Sequence, residues 1–106
     1  MNKYLLLYSG GKMPESEAEQ KKTLDAWNKW MGGIGKALID AGDPFTPNAR
    51  TINTDGSTKD WPIGSMASGY SIIEAESLEA ATKMAKGCPV LQGGAKISVY
   101  ETFHVM

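Results

Sequence analysis

Histidine and cysteine are nearly missing from this chain, whose 106 residues include one of each, His104 and Cys88. Metal sites in proteins draw on several clustered histidine, cysteine or carboxylate ligands, so no metal is expected. A lone cysteine has no mate for an intrachain disulfide, and a thiol left free fits a reducing compartment, which points to the cytoplasm. An excess of charge of one sign is missing too. The formal net charge is −1, with acids and bases interspersed, so the basic footprint needed for a phosphate backbone is lacking and nucleic acid is not an expected partner. The apolar run near the start, Tyr4 to Tyr8, is too short for a signal-peptide core or a membrane span, so no membrane association is expected.

What is present fits a single domain over residues 1–106, large enough for one core but not for a separate substrate domain. Lys3 to Tyr8 reads as a strand that is apolar on both parities and therefore covered on both faces. Pro14, then Ser16 with Glu19 three residues on, marks a helix start. Leu24, Trp27, Met31, Ile34 and Leu38 then repeat at helical spacing, which predicts one long amphipathic helix stopped by Gly42 and weakened in its middle by Gly32, Gly33 and Gly35. A modest second strand is predicted over Ala49 to Asn53, with a long polar loop from Asn53 to Ser68. Gly69 to Ala75 is a stronger strand. Ser77 caps a short helix that turns Leu78, Ala81, Met84 and Ala85 inward, and Gly87 and Pro89 end it. A last strand runs from Ala95 to about Val105, with Ile97, Val99, Phe103 and Val105 on one face and Ser98, Tyr100, Thr102 and His104 on the other.

The order is thus β-α-β-β-α-β. It predicts an α+β, ferredoxin-like domain: a four-stranded antiparallel sheet with both helices on one face. Parity groups Tyr4, Leu6 and Tyr8 with Tyr70, Ile72, Tyr100 and His104 on the opposite face, which no helix remains to cover. An uncovered set of that kind is expected to meet a second subunit or a ligand, and homodimerisation is the simpler assumption.

Several familiar motifs fail when tested. Gly32-Gly33-Ile34-Gly35-Lys36 has Trp30 where a phosphate-binding loop needs its first glycine and Ala37 where it needs a hydroxyl, and it lies in a helical pattern instead of after a strand. The dinucleotide fingerprint fails at Leu38. No cofactor is therefore expected. Gly69-Tyr70-Ser71-Ile72-Ile73 echoes an RNA-recognition strand but lacks the basic residue and the second stacking aromatic. Glu15, Glu17 and Glu19 read as a solvated first helical turn favoured by the helix dipole, and Cys88 as a buried structural thiol.

Six polar or aromatic residues remain that could converge at one end of the sheet as a ligand site: Tyr8, Asp43, Arg50, Tyr70, Tyr100 and His104. His104 is a candidate general base, since an unperturbed imidazole changes charge near neutral pH, or else stands in water on a frayed terminal strand. Asp43 is either a site acid or a turn former before Pro44. Arg50 holds an anionic ligand or pairs with a surface acid. Trp27 and Trp30 read as core, whereas Trp61 covers a pocket or anchors its loop.

Four segments together, KYLLLYSGG, DAGDPF, GYSIIEAESLEAA and GCPVLQGGAKISVYET, resemble the YCII-related family, in particular the branch named for a DGPF motif. The resemblance spans nearly the whole chain and implies a dimeric α+β barrel, in which two ferredoxin-like sheets face one another and enclose pockets. Where the branch carries its signature, this sequence reads Asp60-Trp61-Pro62-Ile63, keeping only the Asp and the Pro. Some family members are thought to use a His-Asp pair with an early histidine; none precedes His104 here, and Asp43 alone is available as the acid.

The leading expectation is a small cytoplasmic homodimer that binds a small organic molecule between its sheets through Tyr8, Tyr70 and Tyr100. The alternatives are a cofactor-independent lyase or isomerase using His104 or a pocket tyrosine as acid and base, and a non-catalytic interaction module.

Overall fold

A computed structural model describes residues 2–10, 16–46, 48–60 and 67–103. Pro14, Glu15, Trp61 to Ile63, His104 and Val105, all named above, lie outside them. The main sheet is built from β1 (Asn2–Gly10), β2 (Leu38–Asp40), β5 (Ala67–Ala75) and β6 (Ala95–Glu101) in the order β2-β5-β1-β6, antiparallel throughout. Two helices, α1 (Glu17–Ile34) and α2 (Leu78–Ala85), cross over on one face. With β5 and β6 as the third and fourth core strands this is the ferredoxin-like arrangement. Between the second and third core strands a separate hairpin is inserted, formed by β3 (Arg50–Ile52) and β4 (Thr58–Asp60).

Both helix starts follow from side-chain capping. The Ser16 hydroxyl accepts the Glu19 amide hydrogen at 3.2 Å and the Ser77 hydroxyl that of Ala80 at 3.1 Å, each satisfying a donor that the first turn would otherwise leave unpaired. The long helix predicted to reach Gly42 ends earlier. Gly35 caps it, its backbone N–H donating a hydrogen bond to the Met31 carbonyl, a 3-10 turn covers Gly35–Ala37, and Leu38 begins β2. Glycines at 32, 33 and 35 each cost a helix up to about 1 kcal/mol relative to alanine, enough to end it before the apolar repeat runs out. Leu38 keeps its place against the core, from a strand instead of a helix.

Two further expectations are corrected. The predicted second strand exists as β3, but it pairs with β4 inside the segment expected to be a loop, and β2 takes the place beside β5. Tyr4, Leu6 and Tyr8 lie under the helices, packed with Ile73, Ala75, Trp30 and Cys88, and not on the bare face. Alternation assigns residues to two faces without saying which is which, and β1 is apolar on both. On β6 the division is as predicted, with Ile97 and Val99 toward the helices and Tyr100 away. That strand stops at Glu101, and Phe103 is exposed.

Core contact is uneven along the helices. Trp30 is buried in α1 and Ala81 and Ala85 in α2, whereas Leu24 and Leu78, predicted to face inward, are exposed. The first half of α1, Glu17 to Asp25, is exposed throughout. Cys88 is buried, as its Gly-Cys-Pro turn suggests.

Candidate functional site

Opposite the helices the sheet presents an apolar surface. Across β1 and β5, Leu7 stands opposite Tyr70, Leu5 opposite Ile72 and Lys3 opposite Glu74; across β1 and β6, Leu5 faces Tyr100 and Leu7 faces Ser98. Directly opposed residues of an antiparallel pair share a face, so Leu5 and Leu7 bridge the two tyrosines into one patch. No described helix covers it.

One corner of this patch is built by the chain between β2 and β3. Pro44 bridges to Gly69, the Phe45 amide donates to the Ser68 carbonyl at 2.8 Å, and the Phe45 ring stacks on Tyr70 with centroids 5.9 Å apart and planes 28° from parallel. The corner is tied to the core from beneath. The Ser71 hydroxyl donates to the Ala41 carbonyl at 2.7 Å, the Tyr8 hydroxyl donates to Ser71 Oγ at 2.8 Å, and the Cys88 thiol donates to the Tyr8 oxygen at 3.7 Å. This one-way chain satisfies three buried polar side chains and ends on a backbone acceptor, the condition under which a buried network stabilises a fold.

Tyr8, expected at the ligand site, is therefore the middle of a structural relay. It is 4% exposed, and its ring packs edge-on against Trp27 with centroids 5.8 Å apart. Burial pushes its phenol far above the ordinary range, against an opposing effect of the Ser71 bond. Burial likewise raises the Cys88 thiol. Neither supplies an anionic nucleophile or base near neutral pH. Since both are acids whose folded pKa is raised, their stabilising effect is complete below the unfolded values and is lost as pH climbs from those values through the raised folded ones. Stability is expected to fall above pH about 8.5, each group contributing a slope of up to about 1.4 kcal/mol per pH unit as the unfolded chain ionises first. Urea unfolding at pH 8 and at higher values checks this, and Cys88→Ala is expected to flatten the early part of the decline.

The other expected site residues divide. Tyr70 and Tyr100 stand on the bare face, and Asp43 sits on the loop whose next two residues contact Gly69 and Tyr70. Arg50 stands apart on the hairpin, its Nε 3.3 Å from Asp60 Oδ1, with both side chains largely exposed. His104 lies outside the described residues. Leu5, Leu7 and Phe45 belong to the patch without standing out in the sequence as site residues; the second apolar parity of β1 is the signal for the leucines. Among the described residues no cluster of three or more potential metal ligands occurs, and no described helix is long and apolar enough to cross a membrane.

Fold and patch together define a ferredoxin-like α+β protein with one sheet face covered by helices and the other bare. No family model and no curated protein matches the sequence. Among solved structures, the chain is similar in fold to the 5-chloro-2-hydroxyhydroquinone dehydrochlorinase of Burkholderia phenoliruptrix AC1100, determined in complex with 2,5-dihydroxybenzoquinone, with a TM-score of 0.53, 23% identity, and 95% of this chain and 94% of that one covered.

Proposed function

We propose that this protein is a cytoplasmic homodimer in which the bare sheet faces of two subunits meet and enclose a pocket for a small organic molecule carrying a ring. The observation that carries the reading is the patch of Leu5, Leu7, Tyr70, Ile72 and Tyr100 on the face away from the helices, an apolar surface that a soluble chain covers. The tyrosines give the pocket ring faces for stacking and hydroxyls for polar substituents. The resemblance to the DGPF branch of the YCII-related family supports the same arrangement, and the quinone held by the similar fold suggests the ligand class.

Light scattering on the purified chain is expected to give twice the 11.4 kDa subunit mass. Ile72→Glu sets a carboxylate at the centre of the apposed faces and is expected to weaken the dimer by 100-fold or more, on the order of 3 kcal/mol, with little change in circular dichroism. 2,5-Dihydroxybenzoquinone or a related hydroquinone is expected to shift the amide resonances of Tyr70 and Tyr100. A monomer at every concentration, or ligand shifts confined to the helices, would refute the reading. An enzymatic version would need its acid–base group among Tyr70, Tyr100 and His104, because burial keeps Tyr8 protonated.

A further inference from the structure

The pairing beside β5 breaks at the corner where Phe45 meets Tyr70. Asp40 of β2 pairs with Ile72, and the next pairing along is the bridge from Pro44 to Gly69. Ala41, Gly42 and Asp43 therefore stand opposite Ser71 and Tyr70, one residue more on the loop side than on β5. An extra residue on one side makes a β-bulge, which leaves part of a ladder unpaired and re-aims the side chains beside it. Ala41, Asp43, Pro44 and Phe45 are all exposed, so burial alone does not fix this segment.

Ser71 supplies a bond that the broken ladder lacks. It lies opposite Leu6 and is fully buried on the helix side of β5, whereas its neighbours Tyr70 and Ile72 stand on the bare face. A hydroxyl has one hydrogen to give. Ser71 Oγ accepts the hydrogen of the Tyr8 hydroxyl at 2.8 Å, and its own goes to the Ala41 carbonyl at 2.7 Å. The bulged segment is thus pinned at its start by a buried side chain and at its end by backbone, where the Phe45 amide donates to the Ser68 carbonyl at 2.8 Å. Between the two pins Gly42 lies against the Tyr70 carbonyl with no room for a methyl group. Together they set the Phe45 ring on Tyr70.

We infer that Ser71 is a positioning residue for the ligand pocket: from beneath the sheet its hydroxyl holds the bulged segment, so that Phe45 and Tyr70 present a preset aromatic wall. This rests on the pocket proposed above. A wall already in place spares a ligand the cost of ordering it. Without the hydroxyl, the carbonyl of the exposed Ala41 turns to water, and the segment yields before the core does.

The test compares Ser71→Ala with the wild-type chain by two readouts: nuclear Overhauser contacts between the Phe45 and Tyr70 rings without ligand, and titration with 2,5-dihydroxybenzoquinone. Ser71→Ala is expected to lose most of the ring contact and to bind the quinone about tenfold more weakly. Trp30→Phe, which removes one hydrogen bond between the helices, is expected to keep the ring contact and to change binding less than about twofold, which separates positioning from a general loss of stability. Gly42→Ala lifts the same segment with the hydroxyl intact; it is expected to reproduce both losses and stands in for Ser71→Ala should that variant not fold. Unchanged ring contact or unchanged affinity in Ser71→Ala, or equal losses in Trp30→Phe, overturns the role of Ser71 and leaves the pocket standing. A wild-type chain that binds no quinone refutes the proposed ligand instead, and the ring contact then decides by itself: its loss in Ser71→Ala upholds the hold on the segment, and its survival overturns it.

Discussion

Gly42→Ala is expected to cost about 3 kcal/mol or more of folding stability, measured by urea unfolding. Gly42 has φ +72°, and a methyl group built on it would lie 1.7 Å from the Tyr70 carbonyl oxygen and 2.6 Å from its carbonyl carbon. Those atoms belong to the backbone of β5 and cannot swing aside. The loop from Ala41 to Phe45 must lift instead, stretching the Ser71 to Ala41 hydrogen bond and pulling Phe45 off Tyr70. Gly10 provides the control. Its φ of +75° is nearly the same, but nothing among the described residues lies within 4 Å of the position its methyl would take, so Gly10→Ala is expected to carry the left-handed backbone cost, about 1–2 kcal/mol. The difference between the two variants measures the close approach. Equal losses would show that the loop does not lie against β5 in solution, and the corner of the patch would go with it.

Trp30→Ala is expected to cost about 3–5 kcal/mol, because this side chain joins the two helices. Its indole N–H donates to the Met84 carbonyl of α2 at 3.0 Å, its ring meets Trp27 edge-on with centroids 5.6 Å apart, and its Cδ1 closes over Gly87. Truncation removes a large buried ring and leaves the Met84 carbonyl without that donor. Trp30→Phe keeps most of the apolar area and loses the hydrogen bond, so a smaller loss of about 1–2 kcal/mol is expected. Urea unfolding followed by near-ultraviolet circular dichroism separates the two. An alanine variant that loses under about 1 kcal/mol would mean that the helices are held together by other contacts.

The elements legible in the sequence are those where one strong local signal has no competitor. Ser16 and Ser77 are capping residues ahead of apolar repeats, and both cap helices. The strands β1, β5 and β6 are continuous β-prone runs, and the ferredoxin-like order follows from them. Leu38 is ambiguous because one apolar residue satisfies a helical period and an inward strand position equally well; the three glycines before it decide the matter through backbone freedom, which periodicity does not record. The hairpin reads as one strand and a loop because Thr58 to Asp60 carries no apolar residue, its pairing being fixed by the turn at Asn53 to Ser57. On the bare face, parity places Tyr70 and Tyr100 correctly and Tyr8 wrongly. The helix layer chooses between the two parities of β1 through Trp27 and Trp30, and that choice is tertiary.

The sheet order also governs when this molecule can fold. β1 lies between β5 and β6, so this early strand has both of its neighbours in the second half of the chain, Ala67–Ala75 and Ala95–Glu101. Its alternating Tyr4, Leu6 and Tyr8 therefore wait, unpaired on one edge, until Glu101 has left the ribosome. Long-range pairing of this kind slows folding and leaves an apolar strand open to the wrong partners in the meantime. Each helix can start to form from its own serine cap as soon as it is made, but β1 is synthesised before either helix and is among the last elements to be satisfied.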